Sequence, residues 1–264
     1  MSGTFSTVNI MDSIGLKTDP RTRDLFPLLA HPLFVFLYIG SYIYTVKSAG
    51  PRWMKPRQPF QILNVVRIYN ALMVIFNALF FWIVLSKTYL PGGRYSIICQ
   101  GLSKTIPPED FELYRKGSWY LLVRYADFLD TYFFIMRKKY NQVSNLHVIH
   151  HVVVVFNGWF WFLYAPEGQV ALGLCMNAFV HAVMYTYYFL STFGPVVKRY
   201  LWWKKYLTML QITQFIIYIV HVSVPIFYDC GYPKVLSLLS AAQAVLILVL
   251  FIRFYEGAYI KKQQ

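Results

Sequence analysis

Residues 145–164 read NLHVIHHVVVVFNGWFWFLY. The stretch is almost wholly apolar, and a helix of about 20 such residues is what crosses the hydrocarbon core of a bilayer. It carries His147, His150 and His151 as an H-x-x-H-H box. Ionisable side chains at membrane depth are costly and mark functional sites by default. Spacings of three and four place the members of the box on one helical face. His181 lies in a second apolar stretch, MNAFVHAVMYTYYFL, residues 176–190. A lone intramembrane histidine is adequately explained as a hydrogen-bonding contact between helices. A triple cluster with a fourth histidine one segment later asks for more.

Composition widens this reading to the whole chain. Of 264 residues, 57% are hydrophobic and 14% charged, against about a quarter charged in a soluble domain. The class is a polytopic membrane protein. Aromatic residues make up 19%, more than anchoring at the membrane interface requires, so many must wall the interior of a bundle. The net charge of +14 points to cytosolic loops and an anionic partner, not to nucleic acid. There is no Gly-rich phosphate loop, no zinc-type cysteine pair and no cleavable signal sequence ahead of the first span.

Seven segments are apolar and long enough to span, with cores at 29–46, 65–86, 118–136, 145–164, 169–191, 206–228 and 235–255. The expectation is an all-α protein with a seven-helix transmembrane domain over 29–257. Residues 1–28 form a polar lead-in and residues 258–264 a short tail. Lys47, Arg52, Lys55 and Arg57 follow the first segment; Arg137, Lys138 and Lys139 follow the third. Lys198, Arg199, Lys204 and Lys205 follow the fifth, and Lys261 and Lys262 the seventh. The positive-inside rule puts these stretches in the cytosol and the N-terminus in the lumen. Lys87, Arg94, Lys104, Arg115 and Lys116 dissent, but in a long loop, where the rule weighs less. Cys99 and Cys230 then both fall in lumenal loops, where an oxidising compartment favours a disulfide over two free thiols. The ending KKQQ matches a dilysine retrieval signal of the endoplasmic reticulum membrane, although snorkelling lysines at a helix end look the same.

Polar residues from four segments share one depth band. At about 1.5 Å per residue, His150 lies roughly 9 Å in from the cytosolic side and His181 roughly 15 Å. Asp127, Asp130 and Thr131 sit in the cytosolic half of the third segment, Gln211 and Gln214 in that of the sixth. Asn177 and His181 share a face that Tyr185 and Tyr188 continue. Arg124 is placed to pair with Asp127, which would lower the cost of both. Six histidines in all, with His31 and His221 outside the band, are too few for a membrane di-iron site. A mononuclear zinc held by His147, His151 and one carboxylate stays open. Cys175 reads as a small packing residue. The remaining chemistry uses imidazole itself, as nucleophile or general base, with the Asn177 amide stabilising an oxyanion.

At these residues the chain resembles the very-long-chain fatty acid elongases, the ELO family of membrane 3-ketoacyl-CoA synthases, from about Arg52 to the C-terminus. LHVIHH matches the family's L-H-x-x-H-H. Asn177, His181, Met184, Tyr185, Tyr187 and Tyr188 carry its N-x-x-x-H-x-x-M-Y-x-Y-Y, and Thr208, Gln211 and Gln214 its T-x-x-Q-x-x-Q. The third segment departs: RYADFLDT places Arg124 and Asp127 where the family usually has Lys and Glu, and Arg and Lys differ in geometry.

The resemblance implies condensation of a long-chain acyl-CoA with malonyl-CoA to 3-ketoacyl-CoA, CO2 and CoA. No cofactor is implied, because the CoA thioesters are substrates. It also implies a helical barrel around a narrow acyl tunnel, with CoA at the cytosolic mouth near Lys204 and Lys205. Products would pass to separate reductases and a dehydratase, and a homodimer is compatible with all of this. In the expected chemistry His150 takes the acyl group, while His181 and Asn177 polarise the malonyl thioester. His147 and His151 orient His150 or move protons, with Asp130 as their partner. The alternative is a lipid-binding or transport protein that keeps the tunnel without the reaction.

Overall fold

A computed structural model describes residue 18, residues 27–102, residue 117 and residues 119–260. Most of the N-terminal lead-in, the loop cations Lys104, Arg115 and Lys116, and the tail lysines Lys261 and Lys262 lie outside the described residues. Among the described residues every regular element is helical, the state in which an apolar segment satisfies its own backbone.

Helix α1 spans Pro32–Tyr44 and continues through a π-helical turn, Thr45–Ala49, into Gly50–Met54. Pro32 opens it, at a position where no N–H is needed. Helix α2 is Leu63–Thr88. Helix α3 is Phe128–Met136, preceded by helical residues 119–126 and interrupted at Asp127. Then come α4, Asn145–Tyr164, and α5, Val170–Ser191. The last two are α6, Lys204–Phe227, and α7, Lys234–Tyr255, which ends in a π-helical turn, Glu256–Ile260.

Among the described residues five helices are long and apolar enough to cross a membrane: α2, α4, α5, α6, and α7 with its closing turn. The protein is thus a multi-pass membrane protein. The other two expected spans are of a different build. Regular α-geometry in α1 gives way to the wider turn after 13 residues. The third segment is broken at Asp127 and carries Arg124, Asp127 and Asp130 within it. Large apolar side chains face outward, among them Leu37, Ile68 and Val220, each more than 60% exposed. Such a surface suits hydrocarbon, not water.

Helix α5 packs along α2 and against α6, α6 against α7, α7 against α4, and α4 against α1. The π-turn and Gly50–Met54 close on α3. At the α1–α3 contact the rings of Tyr42 and Phe128 stack at 3.7 Å, both fully buried. In lipid such close van der Waals packing, not expulsion of water, holds helices together. Cys175 is a buried free thiol packed with Phe80, Tyr120 and Ala178.

The end of the bundle where α4 meets α5 is tied down covalently. Cys99 and Cys230 form a disulfide across 131 residues. Beside it the fully buried Gln169 donates to the carbonyls of Ile98 (3.1 Å) and His221 (2.7 Å) and accepts from the amide of Gln100 (2.7 Å). Gly168 turns the chain there with φ +78°, and a Cβ on it would press on Tyr232 and the Gly101 carbonyl.

Candidate active site

Arg124 is 3% exposed and is the centre of the polar interior. Its Nη1 pairs with Asp127 Oδ2 at 3.1 Å, its Nη2 donates to Asn77 Oδ1 at 2.8 Å, and its plane lies 4.5 Å from the Tyr120 ring centre. Nη1 also meets His181 Nδ1 at 2.7 Å. A guanidinium has donors only, so Nδ1 accepts and the ring proton sits on Nε2. Asn177 Oδ1 accepts from the Tyr120 hydroxyl at 3.1 Å and faces Arg124 Nη1 at 3.5 Å. The carbonyl end of that amide is therefore engaged, and its N–H end is left for the cavity that Asn177 lines.

One turn on, the Tyr185 hydroxyl lies 3.1 Å from Asp127 Oδ1 and 2.6 Å from Asp130 Oδ2. The Tyr69 hydroxyl donates to the Ala126 carbonyl at 3.2 Å and approaches that of Tyr185 at 3.4 Å. Tyr188 packs its ring on Tyr185 at 5.9 Å. The carboxylates thus serve the α3–α5 contact, and the expected pairing of Asp130 with the histidine box is replaced by one with Tyr185.

The box itself is anchored at its start. Ser144 Oγ accepts from the backbone N–H of His147 at 3.2 Å and caps α4. His147 Nε2 meets Thr131 Oγ1 at 2.8 Å, and Thr131 Oγ1 meets the Tyr42 hydroxyl at 2.8 Å. His147 and His151 lie with ring centres 4.1 Å apart, His151 near Tyr42 and Phe128. His150 is turned by the helical twist between adjacent residues. It packs against Phe251 at 5.8 Å and faces His181 at 6.5 Å. The box is therefore shared between two neighbourhoods: His147 and His151 face α1 and α3, His150 faces α5 and α7. The Nδ1 atoms of His150 and His151 are buried without a hydrogen-bond partner among the described residues. No carboxylate joins His147 and His151, and no three His, Cys, Asp or Glu among the described residues are grouped to hold a metal ion.

A cavity of about 200 Å³ begins at Arg124, His150, Asn177 and Gln214 and runs between α4, α5, α6 and α7 to Tyr95 and Glu167. Tyr95 donates to Glu167 Oε2 at 3.1 Å. Burial and the neighbouring carboxylate hold the Tyr95 phenol well above its ordinary range. Helix α1 contributes nothing to the lining. Gln214 lines the cavity, whereas Gln211 contacts Met184 Sδ at 3.6 Å. Lys204 and Lys205 begin α6 outside the lining, Lys205 lying 5.8 Å from the Tyr255 ring centre. A second basic cluster lies at the end of α3. The Lys139 pKa is lowered by burial and then by the nearby charges of Arg137 and Lys198.

Asn77, Tyr120 and Tyr42 belong to this network although no sequence motif drew attention to them. Asn77 is wholly buried in the middle of α2. The cost of a polar group at membrane depth, which singled out the histidines, applies equally to it. The two tyrosines carry no such signal among so many aromatic residues.

A family model, ELO: GNS1/SUR4 family, matches residues 27–264. The chain is 41% identical over 249 residues to a very long chain fatty acid elongase of Aedes aegypti, covering 94% of this chain and 68% of that one. It is 40% identical to very long chain fatty acid elongase 7 of Drosophila melanogaster, over 96% of this chain and 76% of the relative. With very long chain fatty acid elongase 4 of Mus musculus it shares 39% identity, over 93% of this chain and 78% of the relative.

Proposed function

The chain belongs to the ELO family, and on that premise we propose that it is a condensing enzyme of fatty-acid elongation, a very-long-chain 3-oxoacyl-CoA synthase joining an acyl-CoA to malonyl-CoA. The observation that carries this reading is the pairing of His150, at the head of a cavity, with His181, whose proton position is set by Arg124. An acyl chain lies in the cavity with its thioester at His150. The imidazole attacks the thioester carbonyl, the C–S bond breaks, and CoA leaves, giving an acyl-imidazole. Malonyl-CoA then loses CO2. The His181 Nε2–H and the Asn177 N–H stabilise the oxygen of the resulting enolate. Its carbon attacks the acyl carbonyl and the acyl C–N bond breaks, releasing 3-ketoacyl-CoA and His150, whose ring takes up a proton in place of the one that left with CoA. Exclusion of water protects the acyl-imidazole from hydrolysis.

In this reading seven helices span the endoplasmic reticulum membrane, most of them forming a barrel around the acyl tunnel, with the N-terminus lumenal and the C-terminus cytosolic. Arg137, Lys138, Lys139, Lys198, Arg199, Lys204 and Lys205 would include the contacts to the phosphates of CoA, to which cations are the natural complement. Reductases and a dehydratase would take the product onward.

Incubation with acyl-CoA alone tests the scheme. It requires stoichiometric release of CoA and an acyl mass shift on the peptide bearing His150, both lost in His150→Ala. CoA release only after malonyl-CoA is added would replace it with direct transfer in a ternary complex. No CoA release even with both substrates would favour a lipid-binding or transport protein.

A further inference from the structure

Two turns along α4 from His150, on the same face, lies Asn157. The seven intervening steps put it roughly 10 Å deeper at about 1.5 Å each. Gln243 stands on α7 eight residues before Phe251, the ring that packs on His150, or roughly 12 Å at the same rise. Both side chains line the cavity. Asn157 Oδ1 and Gln243 Oε1 are buried and have no hydrogen-bond partner among the described residues. One turn further, Ser240 also lines the cavity, and the Tyr218 hydroxyl faces it. The adjoining walls are apolar: Val153, Val154, Leu174 and Phe162.

Two amides in a passage walled largely by apolar side chains are unfavourable unless something bonds to them, because a buried unpaired amide loses its hydration without compensation. A saturated or unsaturated hydrocarbon chain offers neither a donor nor a strong acceptor. A charged group would meet no counter-ion at this level of the lining. A hydroxyl donates its one proton to one of the two amide oxygens and accepts from an amide N–H, which a hydrocarbon chain cannot do.

We infer that Asn157 and Gln243 form a polar station which receives a hydroxyl carried on the middle of the acyl chain, so that hydroxyacyl-CoAs belong to the substrate range. This rests on the condensing function proposed above. The pair sets specificity at a fixed distance from the reacting carbon and takes no part in bond making.

The test is a positional scan with the purified full chain, using acyl-CoAs of one length that carry a single hydroxyl at successive mid-chain carbons, beside the unsubstituted chain and a poly-cis chain. A site built to hydrogen-bond a substrate hydroxyl discriminates against chains lacking it. The expected result is a peak in kcat/KM at one hydroxyl position, about tenfold above the unsubstituted chain. In Asn157→Leu and Gln243→Leu that ratio should fall towards one. A flat scan, a ratio unchanged in both variants, or a preference for the poly-cis chain overturns the inference. If nothing is elongated, the condensing function fails separately. The same scan read as ligand-induced thermal stabilisation of the wild-type protein then decides the station: a peak at one position upholds it, and equal shifts at every position refute it.

Discussion

The guanidinium of Arg124 and Nδ1 of His181 meet at 2.7 Å, from helices that share no sequence neighbourhood and with both side chains buried. The contact makes a structural cation responsible for the proton position of a candidate catalytic ring. Arg124 reaches Asn77 and Asp127 at the same time.

Replacing Arg124 by Met should therefore strand Asp127 and release His181. Breaking a buried pair from one side costs about 3–5 kcal/mol, and malonyl-dependent condensation should fall at least a hundredfold (~2.7 kcal/mol on the barrier). Arg124→Lys keeps the charge but loses the fork that bonds several acceptors. The double change Arg124→Lys/Asp127→Glu should recover part of what either single change loses, with a coupling of about 0.5–3 kcal/mol. Thermal unfolding in detergent and initial rates for the four proteins give the cycle. Additive losses would mean that the two side chains act independently.

Thr131 joins the Tyr42 hydroxyl to His147 Nε2, at 2.8 Å on each side. Thr131→Val matches its shape and leaves both groups unpaired, a cost of about 1–3 kcal/mol. The melting temperature and the condensation rate should fall together in Thr131→Val and return in Thr131→Ser. Wild-type stability in the Val variant would show that the link is dispensable.

Gly173 lets α5 approach the Tyr218 ring, and a Cβ there would run into it. Both residues line the cavity. Gly173→Ala should push the ring into the passage, with an overpacking cost of about 1–3 kcal/mol. Elongation of the longest acyl-CoAs should suffer more than that of short ones. An equal loss at every length would place the acyl chain elsewhere.

The Cys99–Cys230 disulfide closes a loop of 131 residues. Chain entropy gives about 4.7 kcal/mol for a 100-residue loop as an upper guide, since a membrane already restricts the unfolded chain. Cys99→Ser should melt earlier than wild type, and wild type under reductant should approach it. In non-reduced protein neither cysteine should take an alkylating reagent until a reductant is added. Labelling of Cys99 before reduction would contradict the bond.

Much is legible in the sequence itself. Long apolar runs admit only helix in a bilayer, because each must satisfy its own backbone, so the helical class and the boundaries of α2, α4, α5, α6 and α7 follow from local sequence. The cost of an ionisable group at membrane depth was enough to single out His147, His150, His151 and His181. The pairing of Arg124 with Asp127 was equally local, since a spacing of three fixes it on one helix. What the sequence determined by itself were properties of single helices: their length, apolar character and the polar residues that share a face. Only the tertiary structure decided which helix each face meets. It sent His150 towards α5 and α7 while His147 turned to Thr131, gave Asp130 to Tyr185, and brought Asn77 to Arg124. Those partners lie on different helices, and their choice depends on how all the helices pack at once, an arrangement that no local spacing encodes.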